Sequence, residues 1–217
     1  MQNKSLVDVY LDSVLEANKT TNLTRISSLE EARILHVEDS LAGLPELQQA
    51  PKGLYGDLGT GGGFPGVLLA IETGRKTILV DSVQKKMAII EKILKEMNLD
   101  GSITTYAGRI EDLSVDYPGQ FAVLTARALA KLSVLMELSS PLLKKNGRLI
   151  CYKANVQSEE WEHALSLQDK LGMKLFSDRS LLLSDQETQR RIICFEKVSR
   201  AKISLPRRMG LAQKKPL

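Results

Sequence analysis

Cysteine is scarce in this chain: two of its 217 residues, Cys151 and Cys194. Both lie inside apolar runs that suit strands, and neither has a CxxC or Cys/His partner at ligand spacing. A zinc site and a disulfide framework are therefore not expected, and no metal is. Two buried, inert thiols are. Aromatic residues are few, at 5%. No apolar run approaches the roughly 20 residues that a membrane-spanning helix needs. The opening MQNKSLVDVYLDSV is polar and acidic where a signal peptide is apolar, so a cytoplasmic location is expected. Internal repeats and low-complexity segments are also missing. The remainder, 43% hydrophobic and 26% charged, is an ordinary globular composition at a length that fits one α/β domain with modest additions.

Acid is absent from the stretch 199–217, SRAKISLPRRMGLAQKKPL. It holds six cations (Arg200, Lys202, Arg207, Arg208, Lys214, Lys215), so the net +4 of the chain resides there and the rest is net −2. Such a tail attracts polyanions, nucleic acid first among them. On charge alone, a solvated tail that aids solubility has equal standing.

From residue 53 onward, apolar runs at 53–58, 76–81, 102–106, 120–125 and 147–153 alternate with helical patterns. In VQKKMAIIEKILKEMN, Met87, Ile90, Leu94 and Met97 recur at helical spacing while lysines and glutamates face away. GRIEDL reads as a short turn. Strands alternating with crossover helices predict a Rossmann-like, mostly parallel sheet covered on both faces. After the helix QSEEWEHALSLQDKLG, the runs MKLFSDRSLLL and QRRIICFEKV have only a loop between them, which predicts a closing antiparallel hairpin at one edge. Residues 1–50 read as helices added to the sheet domain (53–198): one with Leu6, Val9, Tyr10, Val14 and Ala17 on a face, and a second opened by a capping box from Ser28 to Glu31.

The stretch YGDLGTGGGFPGVLLAI (55–71) carries the chemistry. A nucleoside-triphosphate loop would need Lys-Ser or Lys-Thr after its last glycine, and Gly66 is followed by Val67, Leu68 and Leu69. Gly61, Gly63 and Gly66 do fit the dinucleotide pattern G-x-G-x-x-G, with Asp81 where a ribose-binding acid belongs. Against that, Asp57 places a carboxylate at the strand end, where it would repel a pyrophosphate and attract a cation. S-adenosylmethionine, with a sulfonium and no phosphate, suits this arrangement. Its methionine half would lie along Gly59, Gly61 and Gly63, its charge near Asp57 and its ribose on Asp81. For either acid alone, loop capping is an equal alternative.

DLGTGGGFPGVLLAI, ILVDSVQKK, GRIEDL and TARALA, with NKTTNLTRI and HVEDSL upstream and LPRRMGLAQKKPL downstream, together resemble the bacterial 16S ribosomal RNA guanine-N7 methyltransferases, also called glucose-inhibited division protein B. The resemblance covers nearly the whole chain. It implies a methyltransferase that uses S-adenosylmethionine on N7 of a guanine in the 530 loop of the small ribosomal subunit. By position it implies cofactor contacts at Gly59, Phe64, Ile110, Glu111 and Arg127, with Asp81 and Ser82 at the acid-bearing strand end. Ala126 and Ala154 depart from the family's Ser and Gly at those positions.

The residues agree with N7 chemistry in what they lack. A ring nitrogen with a free lone pair needs no general base. There is no Asn/Asp-Pro-Pro-aromatic motif at the fourth strand end, and Cys151 sits in RLICYKA as a packed strand residue rather than a nucleophile. Arg127, at the carboxyl end of a central strand, is the candidate catalytic residue, to grip the cofactor carboxylate or an RNA phosphate, in preference to a structural ion pair. Asn22, His36, Lys153, Arg207 and Arg208 are candidate substrate contacts; for Asn22 a turn, and for His36 a packed side chain, compete with that role. A monomer is expected. An NAD-dependent oxidoreductase and a non-catalytic RNA-binding protein are the competing readings.

Overall fold

A computed structural model describes residues 4–26 and 28–217; Ser27, before the capping box, and residues 1–3 lie outside it. Five apolar runs form parallel strands β1 (Leu54–Leu58), β2 (Thr77–Asp81), β3 (Ile103–Ala107), β4 (Phe121–Arg127) and β5 (Leu143–Lys153). The expected hairpin is β6 (Met173–Leu182) with β7 (Gln189–Lys197), and β7 inserts antiparallel between β5 and β6. The sheet order is β3-β2-β1-β4-β5-β7-β6. β1 and β4 are buried almost throughout, as strands covered on both faces must be.

The helices are α1 (Leu6–Asn18), α2 (Leu29–Ala32), a π-wound turn (Arg33–Glu38), α3 (Asp39–Leu41), α4 (Leu44–Gln49), α5 (Gly66–Thr73), α6 (Gln84–Glu96), α7 (Ile110–Asp116), α8 (Leu132–Ser139), α9 (Ser158–Ser166), α10 (Gln168–Leu171) and α11 (Leu211–Lys214). Successive strand residues point to opposite faces. Leu124, Leu149 and Cys151 join α7, α8 and α9 on one face; Tyr55, Val123, Ile150 and Cys194 join α4 and α5 on the other. The two thiols thus sit on opposite sides of the sheet, free and buried. Tyr10, Leu11 and Val14 of α1 pack with Val67 and Leu68 of α5 and Ile90 and Leu94 of α6 in one cluster. The capping serine acts as expected: Ser28 Oγ accepts from the Glu31 amide at 3.2 Å.

Two expectations are corrected. GRIEDL is not a turn but opens α7, because Ile110, Leu113 and Ser114 bury the inner face of a helix that continues to Asp116. The basic tail, for which a fully solvated stretch is one of two readings, is docked. It folds back on α8: Ile203 and Leu205 pack on the core, Ala212 is buried, and Arg207 makes a two-pronged pair with buried Glu137 at 2.6 Å on each prong.

Candidate functional site

The glycine loop crosses the carboxyl ends of β1 and β2, next to the β1/β4 boundary where the strand order reverses, the place where open α/β sheets bind ligands. The amides of Gly59 and Thr60 donate to the Val80 carbonyl at 2.8 and 3.0 Å, continuing the β1–β2 ladder into the loop. Asp81 braces both sides of the turn: Oδ2 accepts from the Gly61 amide at 3.0 Å and Oδ1 from the Val83 amide at 2.9 Å. Gly61 is left-handed (φ 58°), and a Cβ there would meet nothing nearer than the Gly59 carbonyl oxygen at 3.9 Å. That leaves the backbone uncovered for a ligand.

Asp57 lies under this loop, not at its mouth. It is fully buried, with Oδ2 accepting from the Gly66 amide at 3.0 Å and Oδ1 from the Thr125 hydroxyl at 2.6 Å; Thr125 in turn meets the Tyr55 hydroxyl at 2.7 Å. Burial pushes its carboxyl up to about 6 against the pull of these hydrogen bonds. Gly66 is required by this closeness, since a Cβ would overlap Asp57 and Leu79. Gly63 serves packing in the same way: a Cβ would overlap the Tyr10 hydroxyl, which donates to the Gly62 carbonyl at 2.9 Å.

A cavity of about 390 Å³ opens above the loop, lined by Gly59, Thr60, Gly61, Phe64, Asp81, Ser82, Ile110, Glu111 and Arg127 among others. This lies within the size range of small-molecule sites. A second cavity of about 470 Å³ adjoins it, sharing His36, Arg127 and Ala128, and continues to Asp39, Tyr152, Lys153, Asn155 and Arg190.

The wall between them is built by the N-terminal helices. His36, carried on the π-wound turn, stacks on Phe64 with centroids 4.3 Å apart and rings 5° from parallel. Its Nε2 shares a hydrogen bond with Thr24 Oγ1 at 2.8 Å. Burial, with Arg127 nearby, lowers its imidazolium to about 4, so the ring is neutral near pH 7. Arg127 Nη1 donates to buried Asp39 Oδ2 at 2.8 Å and to the Leu35 carbonyl at 3.0 Å. Arg190 Nε donates to the other oxygen of Asp39 at 2.7 Å. Two cations share one carboxylate, which leaves the second cavity net positive on that side.

The residues singled out in the sequence divide accordingly. Gly59, Gly61, Phe64, Asp81, Ser82, Ile110, Glu111, Arg127 and His36 line the first cavity. Asp57 and Gly63 do not; both act from beneath the loop. Arg127 does form a structural ion pair, so Nη1 is committed, although the side chain still borders both cavities. Lys153 lines the second cavity but pairs with Glu160 at 2.8 Å rather than standing free for phosphate. Asn22 is exposed and lines neither; the turn is held by Asn18, whose Oδ1 accepts from the Thr24 amide at 3.0 Å. Arg207 is spent on Glu137, whereas Arg208 is exposed with no acidic partner among the described residues. Thr24, Asp39, Asn155, Arg190 and Gln213 are site residues that sequence reasoning misses. Asp39 was legible as an acid three residues beyond His36, but its partners lie 88 and 151 residues away and leave no local pattern.

The family model of GidB, rRNA small subunit methyltransferase G, matches residues 2–190. The chain belongs to this family. Curated relatives named ribosomal RNA small subunit methyltransferase G agree: that of Desulfitobacterium hafniense is 37% identical over 96% of this chain and 87% of its own, and that of Fervidobacterium nodosum 32% over 100% of both. The sheet is that of class I methyltransferases. It is similar to the geranyl diphosphate C-methyltransferase of Streptomyces coelicolor, solved with S-adenosyl-L-homocysteine, at TM-score 0.60 and 14% identity over 75% of this chain and 78% of that one. It is also similar to the [4+2]-cyclase SpnF, at TM-score 0.57 and 13% identity over 74% and 81%. A cyclase with the same fold shows that the architecture alone does not choose the reaction.

Proposed function

We propose that this protein transfers a methyl group from S-adenosylmethionine to N7 of a guanine in the 530 loop of small-subunit ribosomal RNA. Membership of the GidB family supports rRNA methylation, and the position of Asp57 carries the choice of cofactor. In a dinucleotide site the amides at the helix N-terminus after the first strand face a pyrophosphate. Here the first amide of α5, on Gly66, is already given to the Asp57 carboxylate. The loop therefore offers backbone to a ligand without offering an anion site, which favours a phosphate-free cofactor over NAD. Asp57 discriminates by filling that place from below, not by guarding an entrance.

The residues fit the cofactor's parts. Asp81, although braced by two amides, keeps further acceptor capacity for ribose hydroxyls on the cavity side. Ile110 offers an apolar surface for the base, and the uncovered backbone at Gly61, beside Gly59 in the same cavity wall, faces the methionine half. S-adenosylmethionine supplies the methyl as an electrophilic carbon on a sulfonium, so the protein's share of the chemistry is alignment. Arg127 and His36 stand where the two cavities meet, which favours the second cavity for the acceptor base. Arg127 Nη2 and Arg190 Nη2 have no partner among the described residues and can donate to guanine O6, leaving N7 free to attack. A neutral His36 adds no positive charge as the base becomes cationic.

Tritium transfer from labelled S-adenosylmethionine to small subunits lacking the modification, with base-resolved mapping of 7-methylguanosine, tests the reading. A single modified guanine in the 530 loop is expected. Label on another base, or none, would overturn it.

A further inference from the structure

The acid-free C-terminal segment reaches the first cavity through one residue, the exposed Gln213. Its placement is the outcome of three anchors. Arg207 closes its two-pronged pair with Glu137, a carboxylate 3% exposed that needs a cation, and Arg207 Nη2 also donates to the Lys215 carbonyl at 3.0 Å. Ala212 is pressed into the core beside α8. The Gly210 amide, turned inward by a left-handed backbone (φ 72°), donates to Glu111 Oε1 at 2.7 Å. Glu111 itself lines the cavity, as does Leu138 on α8, and both residues also border the small void under the docked segment. Residues 207–213 thus hold one residue, Gln213, at the wall of the site.

We propose that Gln213, presented by this docked segment, is a binding residue at the nucleobase end of the cofactor cavity, and that the Gly210–Glu111 hydrogen bond and the Arg207–Glu137 pair position it. The inference rests on the reading of this cavity as the S-adenosylmethionine site. The methyl must leave toward the second cavity, which meets the first at His36, Arg127 and Ala128 beyond β4. Through Glu111, Gln213 is tied to the opposite end, beyond β3, where the adenosine half then lies. A carboxamide is uncharged and offers a donor and an acceptor side by side, the complement of an adenine edge.

Calorimetric titration of the full chain with S-adenosylhomocysteine, and separately with adenosine, tests this. Gln213→Ala is expected to weaken both ligands by the same factor, roughly 3- to 10-fold, the worth of one or two hydrogen bonds. Arg207→Gln, which releases the segment, should weaken both as well, while Lys202→Ala, a tail cation paired with Asp169 away from the cavity, should leave both affinities unchanged. Saturating S-adenosylhomocysteine should also slow amide exchange across residues 208–214. Unchanged affinities in Gln213→Ala, or a loss confined to S-adenosylhomocysteine, would overturn the assignment, as would exchange in 208–214 that ignores the ligand. Wild-type protein that binds neither ligand would instead bring down the cofactor reading itself, and this inference with it.

Discussion

His36 lies face to face with Phe64, a helical residue from the N-terminal segment stacked on a residue of the glycine loop. The pair joins the added helices to the cofactor loop, and its titration shapes the acid limb of stability. The imidazole titrates near 4 in the native state against an ordinary 6.5, so between those values the unfolded chain binds the extra proton and acid favours unfolding. Asp57 works the other way. Its native carboxyl titrates near 6 against an ordinary 3.8, so acidification through that window stabilises the fold.

Replacing His36 by Phe should therefore flatten the loss of stability between pH 6.5 and 4, an effect on the order of 3 kcal/mol at about 1.4 kcal/mol per pH unit. Asp57→Asn should steepen that loss. Thermal melts of both variants at about pH 7, 6 and 5 check the two opposite changes, and parallel curves for all three proteins would refute them.

Arg127→Ala should abolish methyl transfer while the fold persists, because Arg190 still holds Asp39. Asp39→Asn releases both arginines, and breaking buried pairs of this kind costs about 3–5 kcal/mol. Urea denaturation alongside tritium transfer separates the outcomes: loss of activity at near-normal stability for the first, loss of both for the second. Turnover retained in Arg127→Ala would remove that residue from the site.

Tyr10→Phe removes the hydroxyl that holds the Gly62 carbonyl, leaving a buried acceptor without its donor. A cost of about 1–3 kcal/mol follows, with weaker cofactor binding because the loop it steadies lines the cavity. Denaturant melts and calorimetry measure the two effects on one sample.

The tail cations are not equivalent. Neutralising Arg208, Lys214 and Lys215 should lower RNA affinity and reduce the slope of log affinity against log salt by roughly one for each phosphate left without its cation. Arg207→Gln should lower thermal stability and leave that slope nearly intact, because its charge is already matched by Glu137. Filter binding across a salt series distinguishes them.

The sheet was legible because β1, β2 and β4 are short, largely apolar runs bounded by glycine and polar turns, and the loop was legible because its glycines cluster. The depth of Asp57 could have been read too: on a strand it shares a face with Tyr55, which places it beneath the following helix rather than in the mouth. Arg127 was legible as a position but not as a partner, since Asp39 and Arg190 come from distant segments and only the fold brings the three together. Gln213 had no signal at all, being a single neutral residue within a tail marked out by its basic charge.

The placement of that last wall bears on biosynthesis. A chain being translated can form β1 to β5 before residues 173–214 are made, and the hairpin that fills the sheet edge and the segment that walls the adenosine end come after those strands. Competence to hold the methyl donor then waits on the synthesis and docking of residues 207–213, long after the strand that bears its glycine loop has been made.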